Sequence, residues 1–398
     1  MNLSIDYLGK RFDNPFVLAS GPPTASAEMI KRAFEAGWAG AVIKTLIREP
    51  VENLHNRFAV NKINNTIYAF ENVELLSEKS PEMWYEDILE LKKSFPDKII
   101  IGSIMGDAKT REQWIELALI CQEAGADFIE LNFSCPHGYP EKGKGSAIGQ
   151  SADYSSAITK WLKNDKKITV PIIPKLTAAV TDISFIGEAV ASAGADGLCA
   201  INTFPSIMGF DLKTLEPKPA ICGHTTSGGY SGPGLKPIAL KCISDLIKSP
   251  ALPVMASGGV SSGFDAVEFI LAGATLVQVC TAVMLKGYSI ITQMQNELEE
   301  FMESHDFTAV SDFICIGNQN VCQFSELDHN FSVKASIDPE KCVGCGLCFT
   351  SCRDGGRNAL AMRNEVAVVD YNKCGGCSLC FQVCPTGAIT MEKVQIAG

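Results

Sequence analysis

The chain has 398 residues, 46% of them apolar and 20% charged, with a formal net charge of −11. That length suits one large domain with a small appendage as well as two or three medium ones. The acidic balance disfavours nonspecific binding to nucleic acid or anionic membranes, and no apolar run approaches the length of a membrane-spanning helix. The opening MNLSIDYLGKRFDNPF lacks the basic start and apolar run of a secretory signal, so a cytoplasmic location is expected. In that compartment sixteen cysteines argue for metal ligation and redox work over a disulfide framework.

Four segments share one design: EAGWAGAVIKT (35–45), EAGADFIELN (123–132), SAGADGLCAIN (192–202) and LAGATLVQVC (271–280). In each, a helix-like stretch ends on alanine and glycine, and glycine can take the left-handed conformation that terminates a helix. The short run that follows is apolar on both faces, as suits a parallel strand covered on both sides. Together with runs lacking the glycine, the expected strands are 16–20, 41–45, 99–104, 128–132, 172–175, 197–201, 254–257 and 276–280. Helix-like stretches such as 110–124, 183–193, 237–249 and 261–272 separate them. Eight such units in about 300 residues predict a (β/α)8 barrel, with an open doubly wound sheet as the rival.

Polar residues and glycines gather just past these strands: Ser20-Gly21, Lys44-Thr45, Asn132 to Cys135, Lys175, Asn202-Thr203, Ser257-Gly258-Gly259 and Thr281. Each alone is explained by a turn or a helix cap. Their convergence on the C-terminal face, where barrels place their active sites, points to a site. Ser257-Gly258-Gly259 and Thr281 follow the seventh and eighth strands, whose loops often cradle a phosphate with backbone N–H groups. No G-x-G-x-x-G stands between a strand and a helix, so a mononucleotide is expected in the barrel rather than a dinucleotide on a Rossmann domain.

After a linker expected at 306–335, residues 336–398 carry two C-x2-C-x2-C-x3-C runs. They are Cys342, Cys345, Cys348, Cys352 and Cys374, Cys377, Cys380, Cys384, and the second repeats the first at an offset of 32 (374 against 342). This is the ferredoxin pattern for two [4Fe–4S] clusters in an α+β domain, in which the fourth cysteine of each run ligates the other cluster. One cluster would take Cys342, Cys345, Cys348 and Cys384, the other Cys374, Cys377, Cys380 and Cys352. The rival is a pair of zinc sites, whose ligand pairs usually have a longer spacer between them. The first run departs from the pattern, because Arg353 and the loop RDGGRN follow Cys352 where proline follows Cys384. Clusters pass electrons singly, whereas reduction of an organic double bond moves a hydride equivalent. Flavin converts between the two, so the barrel at 1–305 is expected to hold FMN. Cys199, Cys280, Cys315 and Cys322 read as packing thiols.

The motifs ELNFSCPHG, PKLTAAVTDI, NTFPSIMGF, GGYSG with KPIAL, and ASGGV resemble the FMN barrel of dihydropyrimidine dehydrogenase, a relative of dihydroorotate dehydrogenase. The resemblance extends over essentially the whole chain, the cluster domain included. It is nearest the catalytic subunit of the bacterial two-subunit, NAD-dependent type, and so implies a separate flavoprotein partner with FAD and an NAD(H) site. A homodimer or hetero-oligomer is expected. The resemblance implies FMN contacts at Ala19, Ser20, Lys44, Thr45, Lys175, Gly232, Gly258, Gly259 and Thr281, with Lys175 near the N1 end of the flavin. It implies pyrimidine contacts at Asn72, Asn132, Asn202 and Thr203, whose amides complement a ring edge of alternating N–H and C=O.

Cys135 matches the family's catalytic acid. The implied reaction reduces the C5=C6 bond of uracil or thymine, with hydride passing to C6 from the flavin and a proton to C5 from the Cys135 thiol. A thiol of ordinary pKa, about 8.5, is protonated near neutrality and ready to give that proton. The loop CPHGYPEKGKGSAIGQ, with glycines at 138, 143, 145 and 149, has the composition of a lid. His137 is a candidate proton relay to Cys135, or only a loop contact, while Glu141, Lys142 and Lys144 read as a solvated tip. The alternatives are a dihydroorotate dehydrogenase, a reductase of another small cyclic compound, and an electron-carrying subunit without a substrate. Orotate's carboxylate usually needs a cationic partner, and the asparagine-rich set favours an uncharged ring.

Overall fold

Eight parallel strands close into a barrel in the computed structural model, which is described over residues 1–135 and 144–394. They are β1 (Phe16–Leu18), β2 (Gly40–Val42), β3 (Ile99–Ile104), β4 (Phe128–Asn132), β5 (Ile172–Leu176), β6 (Leu198–Ala200), β7 (Val254–Ser257) and β8 (Leu276–Val279). Each strand pairs with the next in chain order and β8 pairs with β1, so the open-sheet rival is excluded and the barrel expectation is borne out. Every residue of these strands is buried, because side chains of one face fill the barrel and those of the other meet the helices.

The helices include α1 (Ala27–Ala36), α2 (Pro81–Ser94), α3 (Arg111–Glu123), α4 (Ala152–Lys163), α5 (Ile183–Ser192), α6 (Lys236–Lys248), α7 (Gly263–Leu271) and α8 (Ile290–Ser304). Side-chain oxygens of Ser26, Ser80, Ser151, Asp182 and Ser262 accept backbone N–H groups at the starts of five of them. The alanine–glycine signature works as expected: Gly37, Gly125, Gly194 and Gly273 all have φ between 98° and 115° just past α1, α3, α5 and α7.

Two features were not legible in the strand pattern. The first is a hairpin of Ile5–Tyr7 and Lys10–Phe12 under the N-terminal end of the barrel. Tyr7 and Phe12 are almost fully buried there, and the Phe12 ring stacks on Phe128, the first residue of β4, at 6.3 Å. The second is a four-stranded antiparallel sheet of Phe58–Ile63, Thr66–Asn72, Phe204–Ser206 and Gly228–Ser231, inserted after β2 and β6. Asn64 and Asn65, both left-handed, make its two-residue hairpin. Glu71, fully buried, accepts hydrogen bonds from Ser206 Oγ (3.0 Å) and Met208 N (2.7 Å) and so ties the two insertions together.

The chain divides into two compact units, Met1–Val321 and Cys322–Gly398. Val310 and Phe313, in the stretch before the boundary, are fully buried in the core of the first unit. Cys322 is exposed, so it is not a packing thiol. The second unit pairs Val333–Ile337 with Ile389–Lys393 and Leu360–Arg363 with Val366–Val369, and the helices Leu347–Gly355 and Leu379–Gln382 begin inside its two cysteine runs, carrying Cys348 and Cys352 and Cys380 respectively. Among the described residues no helix is long and apolar enough to cross a membrane.

The hairpin under the barrel supplies a stability test. Phe12→Ala removes a buried ring from its contacts with Phe128 and Tyr7, and should cost about 3–5 kcal/mol in urea unfolding.

Candidate functional site

At the C-terminal end of the barrel lies a cleft with about 990 Å³ of atom-free space, part of it open to solvent. The structure brings together the barrel residues expected to hold cofactor or substrate, and the candidate acid: Ala19, Ser20, Lys44, Thr45, Asn72, Asn132, Cys135, Lys175, Asn202, Thr203, Gly232, Gly258, Gly259 and Thr281 all line it.

A buried polar layer forms its floor. Lys175, on β5, donates to Gln278 Oε1 on β8 at 2.7 Å, and Gln278 Nε2 donates to Glu130 Oε2 on β4 at 2.8 Å. Lys175 Nζ is also 3.5 Å from Glu130 Oε1, and Glu130 is fully buried. Burial opposes the charge on Lys175 more than any single neighbour favours it, but the surrounding groups, the Glu130 carboxylate foremost, together hold the ammonium above its ordinary pKa. Its charge persists through neutral pH, and the stability this linkage adds is lost only as pH rises through the raised value. The layer continues through hydroxyls. Ser103 Oγ reaches Glu130 at 3.4 Å and Thr45 Oγ1 at 2.9 Å, and Thr45 Oγ1 lies 3.1 Å from Ser20 Oγ.

Asn132 joins this layer by donating from Nδ2 to Thr45 Oγ1 at 2.9 Å, while its Oδ1 accepts from Ser134 N at 3.1 Å. Both ends of the amide are thereby oriented. Asn72 Nδ2 donates to Gly229 O at 3.3 Å, and Asn202 Oδ1 accepts from Thr203 N at 2.9 Å. Lys44, beside Thr45, pairs with Glu74, and both side chains are nearly buried. Cys135 is 5% exposed at the end of β4. The chain returns to it at residue 145: Ser146 N donates to Cys135 O at 2.9 Å, and a Cβ on Gly145 (φ 57°) would lie 2.6 Å from that oxygen. Glycine at 145 is therefore what lets the returning chain seat the cysteine. His137, Gly138, Glu141, Lys142 and Gly143 fall outside the described residues.

The other end of the cleft offers backbone and hydroxyls. Gly258 and Gly259 have φ of 116° and 85°, and a Cβ on Gly259 would lie 2.4 Å from Lys236 N at the start of α6. Thr281 Oγ1 meets Ser231 Oγ at 2.9 Å. Sequence reasoning missed Glu74, Glu130, Ser231 and Gln278. Glu130 and Gln278 sit inside apolar strand runs, where a single polar side chain is the only signal. Cys280 was read as a packing thiol inside a strand; β8 ends at Val279, and Cys280 lines the cleft. Cys199, by contrast, is fully buried in β6.

The second unit has two smaller cavities. One, of about 380 Å³, is lined by Cys352, Cys374, Cys377 and Cys380. The other, of about 340 Å³, is lined by Cys342, Cys345, Cys348 and Cys384. Each cavity thus gathers three cysteines of one run and the fourth of the other. The thiols surround a space instead of meeting at a point: among the described residues no three His, Cys, Asp or Glu side chains are grouped to hold a single metal ion.

A parallel barrel with a polar site at its strand ends, followed by a cysteine-rich duplicated unit, defines a class of barrel enzymes coupled to iron–sulfur clusters. Within that class the chain belongs to the dihydroorotate dehydrogenase family, whose family model matches residues 2–302. A 4Fe-4S dicluster domain matches residues 335–391, so the second unit is an iron–sulfur domain. The chain is 37% identical over 363 residues to the NAD-dependent dihydropyrimidine dehydrogenase subunit PreA of Escherichia coli strain K12, covering 90% of this chain and 87% of the relative. It is 37% identical to the chloroplastic NADP(+) dihydropyrimidine dehydrogenase of Arabidopsis thaliana, over 78% of this chain and 76% of that protein. It is 36% identical to the catalytic subunit of dihydroorotate dehydrogenase B (NAD(+)) of Pyrococcus horikoshii, over 78% of this chain and 96% of that one. The resemblance read from ELNFSCPHG and its companion motifs is borne out.

The polar layer makes its own prediction. Glu130→Ala leaves Lys175 buried without its carboxylate and should cost about 3–5 kcal/mol of stability in chemical unfolding.

Proposed function

We propose that the chain is the catalytic subunit of a dihydropyrimidine dehydrogenase, which reduces the C5=C6 bond of uracil or thymine. The observation that carries this reading is the charge state of the cleft. Lys44 and Lys175 line it, and each is already paired with a buried carboxylate, Glu74 and Glu130 respectively. What the described residues present to a substrate is a set of amides and hydroxyls, the complement of an uncharged ring edge. The comparisons support the same reading: the Escherichia coli relative, named as a dihydropyrimidine dehydrogenase subunit, aligns over 90% of this chain and so reaches into the cluster domain.

The residues fit FMN. Gly258, Gly259 and Thr281 would hold the phosphate, Ala19, Ser20, Thr45 and Gly232 would line the cofactor, and the cationic Lys175 would lie toward the ring. FMN would supply the exchange between single electrons and a hydride equivalent. Asn72, Asn132, Asn202 and Thr203 would hold the pyrimidine edge. Asn132 is the best oriented of them, since hydrogen bonds to Thr45 and Ser134 fix its amide. Cys135, seated by the chain at Gly145 and Ser146, would give its thiol proton to C5. The loop 135–150 would close on the substrate as a lid; residues 136–143 of it lie outside the described residues.

The two cysteine-lined cavities would hold one [4Fe–4S] cluster each, with Cys352 and Cys384 as the crossing ligands. Electrons would reach them from a partner flavoprotein that carries FAD and oxidises NADH. The chain alone should then show no appreciable NADH oxidation.

The substrate test uses the chain reconstituted with FMN, iron and sulfide, reduced with dithionite and mixed with each candidate ring. Flavin reoxidation by uracil or thymine and not by orotate is expected; reoxidation by orotate alone would assign the chain to dihydroorotate chemistry. Cys135→Ala should bind uracil nearly as the unsubstituted chain does and slow turnover about 10²–10⁴-fold, the range for a lost positioned acid. Near-normal turnover would make Cys135 a packing residue.

A further inference from the structure

The 32-residue duplication predicts two equivalent cluster sites, yet their surroundings differ in charge. Both runs carry a matched lysine–aspartate pair beside the first cysteine. Lys341 lies 3.2 Å from Asp338 and Lys373 lies 3.6 Å from Asp370, so these contributions are alike at the two sites. Backbone N–H groups reach sulfur at both sites, from Ala359 to Cys352 at 3.3 Å and from Thr386, Ala388 and Ile389 to Cys384.

The differences lie where the duplication is broken. Residue 343 is an exposed valine in the first run; its counterpart, 375, is glycine. The space a side chain would occupy at 375 is taken by Arg357. A Cβ on Gly375 would lie 3.2 Å from Arg357 Cγ and 3.3 Å from its Nε. Arg357 comes from the RDGGRN loop that replaces the proline after Cys352, and it lines the cavity of Cys352, Cys374, Cys377 and Cys380. The two departures from the repeat are thus complementary, the missing side chain making room for the added cation. Lys334 adds a second cation on the same side, donating to Tyr371 O at 2.9 Å and to the carbonyl of the ligand Cys374. Its counterpart at the 32-residue offset is Val366.

Among the described residues, no charged one lines the cavity of Cys342, Cys345, Cys348 and Cys384. The residue packed against its loop glycine, Gly344, is Glu365, whereas the matching Gly376 packs against Val333. Arg353, the other cation of the inserted loop, is bound to its neighbour Asp354 at 2.7 Å.

Adding an electron to a cluster adds negative charge, and nearby cations stabilise the reduced form. We propose that Arg357, with Lys334, makes the cluster at Cys352, Cys374, Cys377 and Cys380 the more readily reduced of the two. One electron then passes downhill from the reduced first cluster, which is oxidised, to the second, which is reduced, and no proton moves. Arg357 acts as a positioning residue for charge and not as a ligand. Because it is exposed, its effect weakens as ionic strength rises. This inference rests on the reading that both cavities hold [4Fe–4S] clusters.

The test is a redox titration of the full reconstituted chain followed by electron paramagnetic resonance, after iron and sulfide analysis. The unsubstituted chain should show two midpoints. Arg357→Gln should lower the higher one and leave the lower unmoved, Arg357→Lys should restore it, and Val343→Arg should raise the lower one. Coincident midpoints, or an Arg357→Gln shift in the lower midpoint, in both or in neither, would overturn the charge assignment. Iron and sulfide for fewer than two clusters would overturn the two-cluster reading beneath it.

Discussion

The buried contact between Lys175 and Glu130, bridged by Gln278, is the constraint on which the barrel site depends. Neither charge is tolerable in an apolar barrel alone, because removing an ion from water costs several kcal/mol even after relaxation. Together, with an amide completing the hydrogen bonds, they become a rigid ion-paired floor. The pair also fixes strand register. Glu130 and Asn132 are two apart on β4 and share one face, and Asn132 stands directly opposite Lys175 on β5. A slip of one residue would turn the face of β4 that carries both toward the helices. The interaction that holds the lysine charged is therefore the one that aims the asparagine.

From that floor the cleft is built upward by segments that leave the C-terminal strand ends. The insertions after β2 and β6 supply Asn72 and flank Thr203, and they are joined through the buried Glu71. The barrel itself was legible because each strand is a short apolar run behind a helix stop. The site was legible because polar residues at the strand ends are conspicuous against those runs. The inserted sheet was not, since FAVNKI and TIYAFEN are only half buried and their asparagine hairpin resembles any surface turn. Glu130 and Gln278 were overlooked for the opposite reason: in FIELN and LVQV a single polar residue looks like a blemish in a core strand until its partner across the barrel is known.

The second unit teaches the complementary lesson. Spacing alone foretold eight cysteines in two sets, because a cubane needs three closely spaced thiolates and a fourth from the far side. The cavities gather the thiols in those sets. Spacing says nothing about charge, however, and a duplicated sequence invites the assumption of duplicated properties. The substitution of glycine for valine at 375 and the insertion after Cys352 look unrelated on the page of a sequence. Only the fold shows Arg357 lying over Gly375.

The choice between a neutral and a carboxylated pyrimidine comes down to what the two lysines are free to do. A carboxylate arriving at Lys44 or Lys175 would compete with Glu74 or Glu130, both within contact and both buried. Displacing either would strand a carboxylate in a low-dielectric site, a penalty that an incoming ion of the same sign cannot offset. An uncharged ring imposes no such cost. It needs only donors and acceptors at fixed positions, and hydrogen bonds already hold the amides of Asn72, Asn132 and Asn202 before any ligand arrives. On the proposed reading, the paired lysines leave a carboxylate without a free counter-ion, while the asparagines offer an uncharged ring its donors and acceptors.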